Sequence, residues 1–403
     1  MDLADLVLLG NIRTIWLCMK ISIVGAGNMG SAIAHELVSN ENIELIRICD
    51  ARSSALDQLQ RRLNSPKVRT VNVDARNKRA LASVLAGSDC IVGCSSPEVN
   101  PLLAKIAVNS RSHYCDLGST TAIVREEAKL APLARDNGVW VVPGCGLDPG
   151  LVHILCHSAI GHLDEPFEAN IWVGDVPLYP QPPFNFRIGW SADKLLDDYT
   201  NEVKVVENGQ LVLKTPLTGT ETLSFGNEYS NMEAFYTAGD LESLWNLSGQ
   251  QLKSLSHKTV RWPGHAEQMA FLLSLGFGDK RSIDAQTHLT YRDVLARKLK
   301  QRLGGPFEDV VLVRSSATGL KDGKRTTCSY ELVDTYQEDR KISAIQRCTG
   351  IPAASITVLL ASGEIKGGGV SSPESIIPIP AFLADVRRRG LDIQFSCEQE
   401  QPN

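Results

Sequence analysis

The chain has 403 residues, of which 43% are hydrophobic, so it is long enough for two domains that each bury a core. Its formal net charge of −5 is mildly acidic and gives no basis for binding to nucleic acid or to an anionic membrane surface. The ten cysteines include no C-x-x-C pair, and several lie in apolar strand-like runs. This usage indicates buried, reduced thiols and a cytoplasmic protein.

Residues 1–18 precede the first strand-like run and have a mixed character. Asp2 and Asp5 occupy the region that is basic in a secretory signal, and Arg13 interrupts the apolar stretch. The segment is also too short to span a membrane. We therefore expect an extension without a catalytic role, and Met19 is a second candidate for the native start.

The most informative pattern begins at Ile21, where the apolar run ISIV leads into the glycine motif GAGNMG. Gly25 permits a tight turn, Gly27 lets backbone N–H groups approach a pyrophosphate, and Gly30 lets the following helix pack on the strand. Asp50 closes the second apolar run, where its carboxylate can accept hydrogen bonds from the ribose hydroxyls. The pattern predicts a dinucleotide site and favours NAD.

Arg52 lies two residues beyond the acid and is a possible partner for a 2′-phosphate, so NADP stays open as an alternative. Further cofactor contacts are expected from loops that follow other strands of the same sheet. The predicted cofactor-binding residues are Gly25, Gly27, Asn28, Met29, Gly30, Asp50, Ala51, Arg52, Asp74, Cys94, Ser95, Ser96 and Pro97.

Strand-like runs continue to alternate with helical stretches after Asp50. They lie at residues 68–74, 89–96, 112–118 and 138–146. This alternation predicts an α/β domain of the Rossmann type with a doubly wound parallel sheet. From about Ala169 strand patterns dominate, including a hairpin at Asn208-Gly209, and they predict a second, α+β domain.

The last helical stretches are expected to return to the nucleotide domain. The predicted division is an extension at 1–18, a nucleotide domain at 19–146, an α+β substrate and oligomerisation domain at 147–345, C-terminal helices at 346–395 and a tail at 396–403.

Six segments of the chain resemble the lysine 6-dehydrogenases and their saccharopine reductase relatives. They are GAGNMG (25–30), GCGLDPGLVH (144–153), PPFNFRIGWS (182–191), NMEAFYTAGDLESL (231–244), KTVRWPGHAEQM (258–269) and RCTGIPAA (347–354). Trp262 stands where a tyrosine is commoner in the family, which keeps an aromatic wall and loses a hydroxyl. The resemblance implies oxidation or formation of a C–N bond at the side-chain nitrogen of lysine, a nicotinamide cofactor and a homo-oligomer.

Arg261 is the main candidate for binding the substrate. Its guanidinium, beside an aromatic residue and a Pro-Gly turn, suits bidentate capture of an α-carboxylate, and the resemblance supports that role. The alternative is an arginine that pairs with a structural carboxylate. Tyr236 and Thr237 offer hydroxyls to the substrate. Asp148 is a further candidate, although capping of a helix with Pro149 in its first turn is the preferred explanation for it.

Removal of a proton from the substrate ammonium requires a base, and the candidates are Asp116, Glu98 and His153. The last of these and His157 are four residues apart, which is metal-ligand spacing, but no third ligand accompanies them, so no metal site is predicted. The sequence thus predicts NAD-dependent oxidation of an amino acid at its side-chain amine, most simply L-lysine. The alternatives are reductive condensation of an amine with an oxo acid, for which Arg187 and Lys258 could join Arg261, and a non-catalytic NAD sensor.

Overall fold

The computed structural model describes residues 18–118, 120–239, 241–284 and 286–400. Its strands are β1 (Met19–Val24), β2 (Ile43–Asp50), β3 (Val68–Asn72), β4 (Cys90–Gly93), β5 (His113–Asp116), β6 (Trp140–Val142), β7 (Glu165–Pro177), β8 (Val203–Glu207), β9 (Gln210–Lys214), β10 (Glu221–Phe225), β11 (Tyr229–Tyr236), β12 (Ser254–Arg261), β13 (Asp309–Lys321), β14 (Lys324–Thr335), β15 (Gly369–Val370) and β16 (Gln394–Gln399).

The α-helices are α1 (Asn28–Val38), α2 (Ser53–Leu63), α3 (Lys78–Leu85), α4 (Asn100–Asn109), α5 (Thr121–Ala128), α6 (Ala131–Asn137), α7 (Leu151–Gly161), α8 (Ala192–Thr200), α9 (Glu242–Leu247), α10 (His265–Leu272), α11 (Tyr291–Leu303), α12 (Ala344–Ala361), α13 (Pro373–Ile376) and α14 (Ile379–Arg388). A 3-10 turn covers Pro97–Val99 and a π turn covers Leu273–Phe277. The prediction for residues 1–17 lies outside the described residues.

The first sheet has seven strands in the order β15-β6-β5-β4-β1-β2-β3, and all of its pairs are parallel. β1 lies between β2 and β4, so the chain winds outwards in both directions from this point. Ligands of such sheets bind where the winding reverses, at the carboxyl ends of the strands. The predicted doubly wound Rossmann sheet is confirmed.

The C-terminal part of the chain returns to this sheet, as predicted. β15 adds to its edge beside β6, and α12 packs against α1 so closely that a Cβ on Gly350 would lie 2.9 Å from the Cβ of Ala32. Among the described residues α12 is the one helix long and apolar enough to cross a membrane, but 83% of it is buried inside the protein. It therefore serves here as a core helix.

The second sheet follows the order β10-β11-β12-β7-β13-β14-β16, with β8 and β9 attached beside β12. β12 and β7 run parallel and the other pairs are antiparallel. We call the face that carries Ile171, His257 and Ser315 the inner face, because the Ser315 hydroxyl donates to the Val152 carbonyl of α7 over 2.9 Å. The opposite, outer face carries Trp172 and its neighbour Lys258.

Three local predictions have clear outcomes. The Asn208-Gly209 hairpin is confirmed, since both residues have positive φ (52° and 74°) between β8 and β9. Capping by Asp148 is wrong: α7 begins at Leu151 after Gly150, and the Asp148 carboxylate is bound elsewhere. Residues 394–399, predicted as the end of the helical segment and the start of a tail, pair with β14 as β16.

The prediction that all cysteines are reduced is wrong for one pair. The register of β14 and β16 places Cys328 opposite Cys397 with their Cα atoms 4.0 Å apart, and they form a disulfide. The other described cysteines are free thiols and most are buried. The sequence analysis missed the pair because it did not predict β16.

Candidate active site

The glycine motif forms a turn whose three glycines have different surroundings. Gly25 has a φ of +117°, and a Cβ there would lie 2.4 Å from the carbonyl oxygen of Cys94. A Cβ on Gly30 would lie 1.9 Å from the carbonyl oxygen of Gly25. At Gly27, by contrast, nothing lies within 4 Å of the Cβ position, directly before the first turn of α1. This open space at a helix N-terminus fits the pyrophosphate of a dinucleotide.

Asp50 joins the end of β2 to this turn. Its Oδ2 accepts the backbone N–H of Ala26 over 2.8 Å, and its Oδ1 accepts the backbone N–H of Arg52 over 2.8 Å. The Arg52 guanidinium also donates to both carboxylate oxygens over 3.2 Å. Burial by itself would raise the pKa of Asp50, but these hydrogen bonds hold that pKa below its usual value. Asp50 is therefore an ionised acceptor at the predicted ribose position.

The remaining predicted cofactor residues lie at different distances from the turn. Ala51 follows β2, and its carbonyl accepts the side-chain amide of Asn72 over 2.9 Å. Asp74 lies on the surface in an ion pair with Arg76, whose hydrogen bonds lower the pKa of Asp74 to about 2. Ser96 and Pro97 are exposed at the start of the 3-10 turn.

A cavity of about 290 Å³ extends from the glycine turn to the second domain. It is lined by Gly27, Asn28, Met29, Gly93, Cys94, Ser95, Asn100, Leu117, Gly118, Gly189 and Trp190. Residues 27–29, 93–95 and 117–118 lie at the carboxyl edge of the parallel sheet. Gly189 and Trp190 come from the PPFNFRIGWS segment. The cavity is thus the crevice in which a nicotinamide ring and a substrate could meet.

None of the three predicted bases is among the described residues that line this cavity. Asp116 is fully buried, and its Oδ1 accepts the backbone N–H groups of Gly118 and Gly144 over 2.8 and 3.0 Å. It therefore organises two loops beside the cavity. Glu98 is exposed in the 3-10 turn and accepts a hydrogen bond from the Ser96 hydroxyl.

The third predicted base, His153, is buried on α7, 3% exposed.

Glu127, a carboxyl group that was not predicted from the sequence, lies against Asp116. Burial and the neighbouring charge raise the pKa of Glu127 to about 9, so it carries a proton at neutral pH. Asp116 and Glu127 thus form a buried acidic pair behind the cavity wall.

Arg261 lies on the inner face at the end of β12 and is 5% exposed. Its guanidinium stacks on the ring of Phe186, 4.6 Å from the ring centroid, and its Nη1 donates to the Val260 carbonyl over 2.9 Å. Its Nε has no hydrogen-bond partner among the described residues. Phe186 precedes the cavity residue Gly189 by three residues, so the stacking connects the arginine with this segment, although Arg261 is not among the described residues that line the cavity.

Asp175 is the carboxylate beside this arginine. It is 5% exposed on β7, and neither of its carboxylate oxygens has a hydrogen-bond partner among the described residues. Burial and the charge of Asp309 raise the pKa of Asp175 to about 8, although the charge of Arg261 opposes the shift. Its Oδ2 lies 3.6 Å from the position of a Cβ on Gly189, which lines the cavity.

Asp148 forms an ion pair with a buried histidine where the two domains join, and its own side chain is 29% exposed. Its Oδ2 lies 2.9 Å from Nε2 of His257, which is 3% exposed on the inner face. Burial alone would raise the pKa of Asp148, but the charge and hydrogen bond of His257 lower it to about 2. The carboxylate in turn raises the pKa of His257 against the effect of burial. The Thr237 hydroxyl lies nearby on the inner face, 2.8 Å from that of Thr259.

Tyr236 does not join this group. It pairs with Lys258 across β11 and β12, and the Lys258 Nζ lies 4.8 Å from its ring centroid. The same Nζ donates to the Gly219 carbonyl over 2.8 Å and pairs with Glu221 over 2.9 Å, on the outer face. The sheet therefore separates Tyr236 and Lys258 from Arg261.

Asp175, Gly189 and His257 were not predicted from the sequence. Asp175 carried a signal, because an acid inside the apolar run WVGDVP is unusual for a buried strand. Gly189 lies in a recognised segment without any feature that marks it. His257 carried no signal, since its role depends on a partner that is 109 residues away in the sequence.

Comparisons with known proteins agree with this geometry. Residues 21–142 match the saccharopine dehydrogenase NADP binding domain, and residues 146–391 match the saccharopine dehydrogenase C-terminal domain. The chain is 23% identical to carboxyaminopropylagmatine dehydrogenase from Synechocystis sp. over 92% of its own length and 96% of that protein. It is 21% identical to the mitochondrial alpha-aminoadipic semialdehyde synthase of Rattus norvegicus over 92% of its own length, but spans only 47% of that relative.

Among solved structures, saccharopine dehydrogenase (L-Glu forming) from Saccharomyces cerevisiae superposes with a TM-score of 0.79 at 16% identity, covering 95% of this chain and 100% of the other. This likeness shows that the fold is shared. The relatives are dehydrogenases and synthases, which confirms the predicted enzyme over a non-catalytic sensor. The chain belongs to the saccharopine dehydrogenase family and is an oxidoreductase that uses a nicotinamide cofactor, NAD or NADP, on an amino-acid or amine substrate.

Proposed function

We propose that this protein oxidises the side-chain amine carbon of L-lysine with NAD and releases 2-aminoadipate 6-semialdehyde and ammonia. The reacting carbon loses a hydride and the amine loses a proton to give an imine, and water then hydrolyses this imine to the aldehyde and ammonia. When bound, the cofactor supplies the hydride acceptor. The protein must hold the two reactants together and remove the proton.

The observation that carries this proposal is the buried guanidinium of Arg261, which stacks on Phe186 in the segment that also supplies the cavity residue Gly189. Arg261 has a free Nε–H among the described residues and is held by Phe186, which suits capture of one α-carboxylate. A substrate anchored there extends its side chain along the cavity towards Gly27 and Cys94 at the sheet edge. One carboxylate at one end and one amine at the other are the features of lysine.

The proton acceptor remains a prediction among Asp116, Glu98 and His153. Asp116 is the member of this set nearest the cavity in sequence, since the next two residues, Leu117 and Gly118, line it. Its Oδ2 is not engaged by the two loop N–H groups, which both bind Oδ1. A proton could reach this carboxylate through a water that the cavity admits.

Reductive condensation of an amine with an oxo acid is the second candidate. The names of several relatives, among them saccharopine dehydrogenase and carboxynorspermidine synthase, support it. Such a reaction needs further cations for further carboxylates. Lys258 lies on the outer face, so Arg187, whose Nε has no partner among the described residues, is the remaining candidate. This smaller set of cations favours the oxidation of lysine.

Absorbance of the reduced cofactor at about 340 nm tests these proposals. The enzyme is incubated with NAD or NADP and a panel of amino acids and diamines, and in the reverse direction with reduced cofactor, an amine and an oxo acid. Reduction of NAD with lysine alone supports the proposal, whereas oxidation of reduced cofactor only when an oxo acid is present supports the condensation. If the absorbance does not change with lysine in either direction, the proposal is contradicted. The cytoplasmic location and the homo-oligomer stay predictions.

A further inference from the structure

The carboxyl group of Asp175 is one of the buried polar groups without a partner in the described part of the protein. It lies on the inner face of a central strand, 5% exposed, with no hydrogen-bond partner for either oxygen among the described residues. A buried carboxylate without a partner is costly, because it loses its hydration and gains nothing in return. A protein retains such a group where a ligand supplies the missing hydrogen bonds.

The neighbouring charged groups do not supply hydrogen bonds to the Asp175 carboxylate. Arg261 on β12 directs its Nη1 to the backbone carbonyls of Val260 and Asp175, over 2.9 and 3.5 Å, and not to the carboxylate. Asp309 on β13 is the other charged neighbour, and its own oxygens accept the backbone N–H groups of Ala344 and Ile345 over 2.7 and 2.8 Å. Asp175 therefore faces one cation that is engaged elsewhere and one like charge.

The position of Asp175 connects it with the cavity. Gly189 lines the cavity, and a Cβ at this residue would stand 3.6 Å from the Asp175 Oδ2. The ring of Phe307 lies at the same distance, 3.6 Å, from this Cβ position. The guanidinium of Arg261, with its free Nε–H, lies on the same face of the sheet one strand away. The guanidinium of Arg261, which can bind an anion, and the carboxyl group of Asp175, which can bind a cation, thus lie side by side near the same end of the cavity.

We infer that Asp175 binds the α-ammonium group of a substrate whose α-carboxylate is held by Arg261, so that the enzyme selects α-amino acids over simple amines and simple carboxylic acids. The inference deepens the proposed function and rests on it only for the identity of the end that reacts. Asp175 is then a specificity-determining residue. An ammonium ion supplies the hydrogen-bond donors and the positive charge that the carboxylate lacks.

Binding of the ammonium group also has a pH signature. Without a ligand Asp175 has a pKa of about 8 and is mostly protonated at neutral pH, with Asp309 and Arg261 as its charged neighbours. An ammonium ion binds the carboxylate form, so affinity for an α-amino acid rises as the pH increases towards about 8 and a proton is released on binding. A ligand without the amino group does not show this rise.

The test uses two ligands that cannot react at the far end, L-norleucine and hexanoate, which differ by the α-amino group. Isothermal titration of the full-length protein with bound NADH measures both affinities. The wild type should bind L-norleucine about tenfold to a hundredfold more tightly than hexanoate. In Asp175→Asn this preference should vanish, with the affinity for hexanoate unchanged and the pH dependence lost.

Two variants provide controls. Arg261→Met should weaken both ligands, because both carry the carboxylate. Glu127→Gln changes another buried carboxyl group with a raised pKa and should leave the norleucine preference intact. NADH affinity and thermal unfolding report folding, and Asp175→Asn should unfold at nearly the same temperature because it replaces a protonated carboxyl group by a neutral amide of the same shape.

The outcomes separate the inference from the proposed function. A wild type that binds L-norleucine no better than hexanoate, or an Asp175→Asn variant that keeps the preference, overturns the inference even if lysine is oxidised. A preference that is lost in Asp175→Asn, together with no oxidation of lysine, supports the inference and refutes the proposed function.

Discussion

The two ends of the proposed site would bind their ligands by different means. The cofactor end is built from the consecutive residues 25–30, and it offers neutral backbone N–H groups and open space at Gly27. The substrate end that we propose combines Asp175, Gly189 and Arg261, which come from three segments and include a buried guanidinium and a buried carboxyl group. Backbone groups at a helix N-terminus recognise a phosphate at little cost to the free protein. Buried charges destabilise the free protein and gain a partner only when the substrate binds.

The two faces of β12 show the same contrast at shorter range. Arg261 on the inner face is stacked but has an unused donor, whereas Lys258 on the outer face is bound to Gly219 and Glu221. Both are nearly buried cations three residues apart. Burial of a charge is therefore not by itself a sign of function. A hydrogen-bond donor or acceptor that lacks a partner is such a sign.

The largest effect is expected from Gly30→Ala, at the cofactor end. The new Cβ would lie 1.9 Å from the Gly25 carbonyl oxygen, so α1 or the turn must move. We expect loss of nucleotide binding and a decrease in the free energy of unfolding of about 1–3 kcal/mol. Gly27→Ala is the matched control: it has open space, so it should bind nucleotide more weakly without loss of stability. Titration of NADH fluorescence and thermal unfolding measure both. Equal behaviour of the two variants would contradict the separate roles of these glycines.

At the substrate end, Arg261→Met should lower kcat/KM for lysine by about 2–4 kcal/mol in transition-state binding, or roughly 30-fold to 1000-fold. Lys258→Met removes a comparably buried cation from the outer face and should change kcat/KM by less than about threefold. Steady-state kinetics with saturating NAD distinguish the two. Similar losses in both variants would show that the sheet does not separate a substrate face from a structural face.

At the ribose position, Asp50→Ala should weaken NAD binding about tenfold to a hundredfold, since one hydrogen bond to a charged group is lost. The change also frees the Arg52 guanidinium, which donates to the Asp50 carboxylate in the wild type. Affinity for NADP should therefore fall less than affinity for NAD. Arg52→Ala is the companion variant, and it should weaken NADP selectively. If NAD and NADP respond equally to both changes, the assignment of the ribose position is wrong.

The smallest effect concerns the Asp148–His257 pair at the domain junction. The lowered pKa of Asp148 adds stability that is present above about pH 4 and lost as the pH falls towards 2, and the raised pKa of His257 adds stability that is lost as the pH rises above about 6.5. Because the Asp148 side chain is 29% exposed, Asp148→Asn should lower the free energy of unfolding by only about 1 kcal/mol, most clearly between these limits. Urea unfolding at several pH values measures it.

The control for this pair is Asp74→Asn, since Asp74 has a similarly lowered pKa but lies on the surface beside Arg76. Solvent screens that exposed pair, so the change should leave stability unaltered. A loss of stability in Asp74→Asn as large as that in Asp148→Asn would mean that burial does not decide the strength of these pairs.

Much of the fold could be predicted because its signals are local. Alternation of apolar strands with helices gave the parallel sheet, and Asn208-Gly209 gave a hairpin, since both depend on neighbours in the chain. The strand β16 and the Cys328–Cys397 disulfide were missed, because they depend on where a distant segment returns. Asp148 was misassigned for the same reason, since its partner His257 lies 109 residues away in the sequence.

The amino-acid sequence by itself determined the nucleotide turn, because Gly25, Gly27, Gly30 and Asp50 act through backbone conformation and short-range spacing. It also identified Arg261 as a candidate cation. Only the tertiary structure decided which face of the second sheet each charge occupies, and that Asp175 rather than Tyr236 lies beside Arg261. The physical reason is that side chains alternate across a strand, so the register between distant strands fixes which groups share a face.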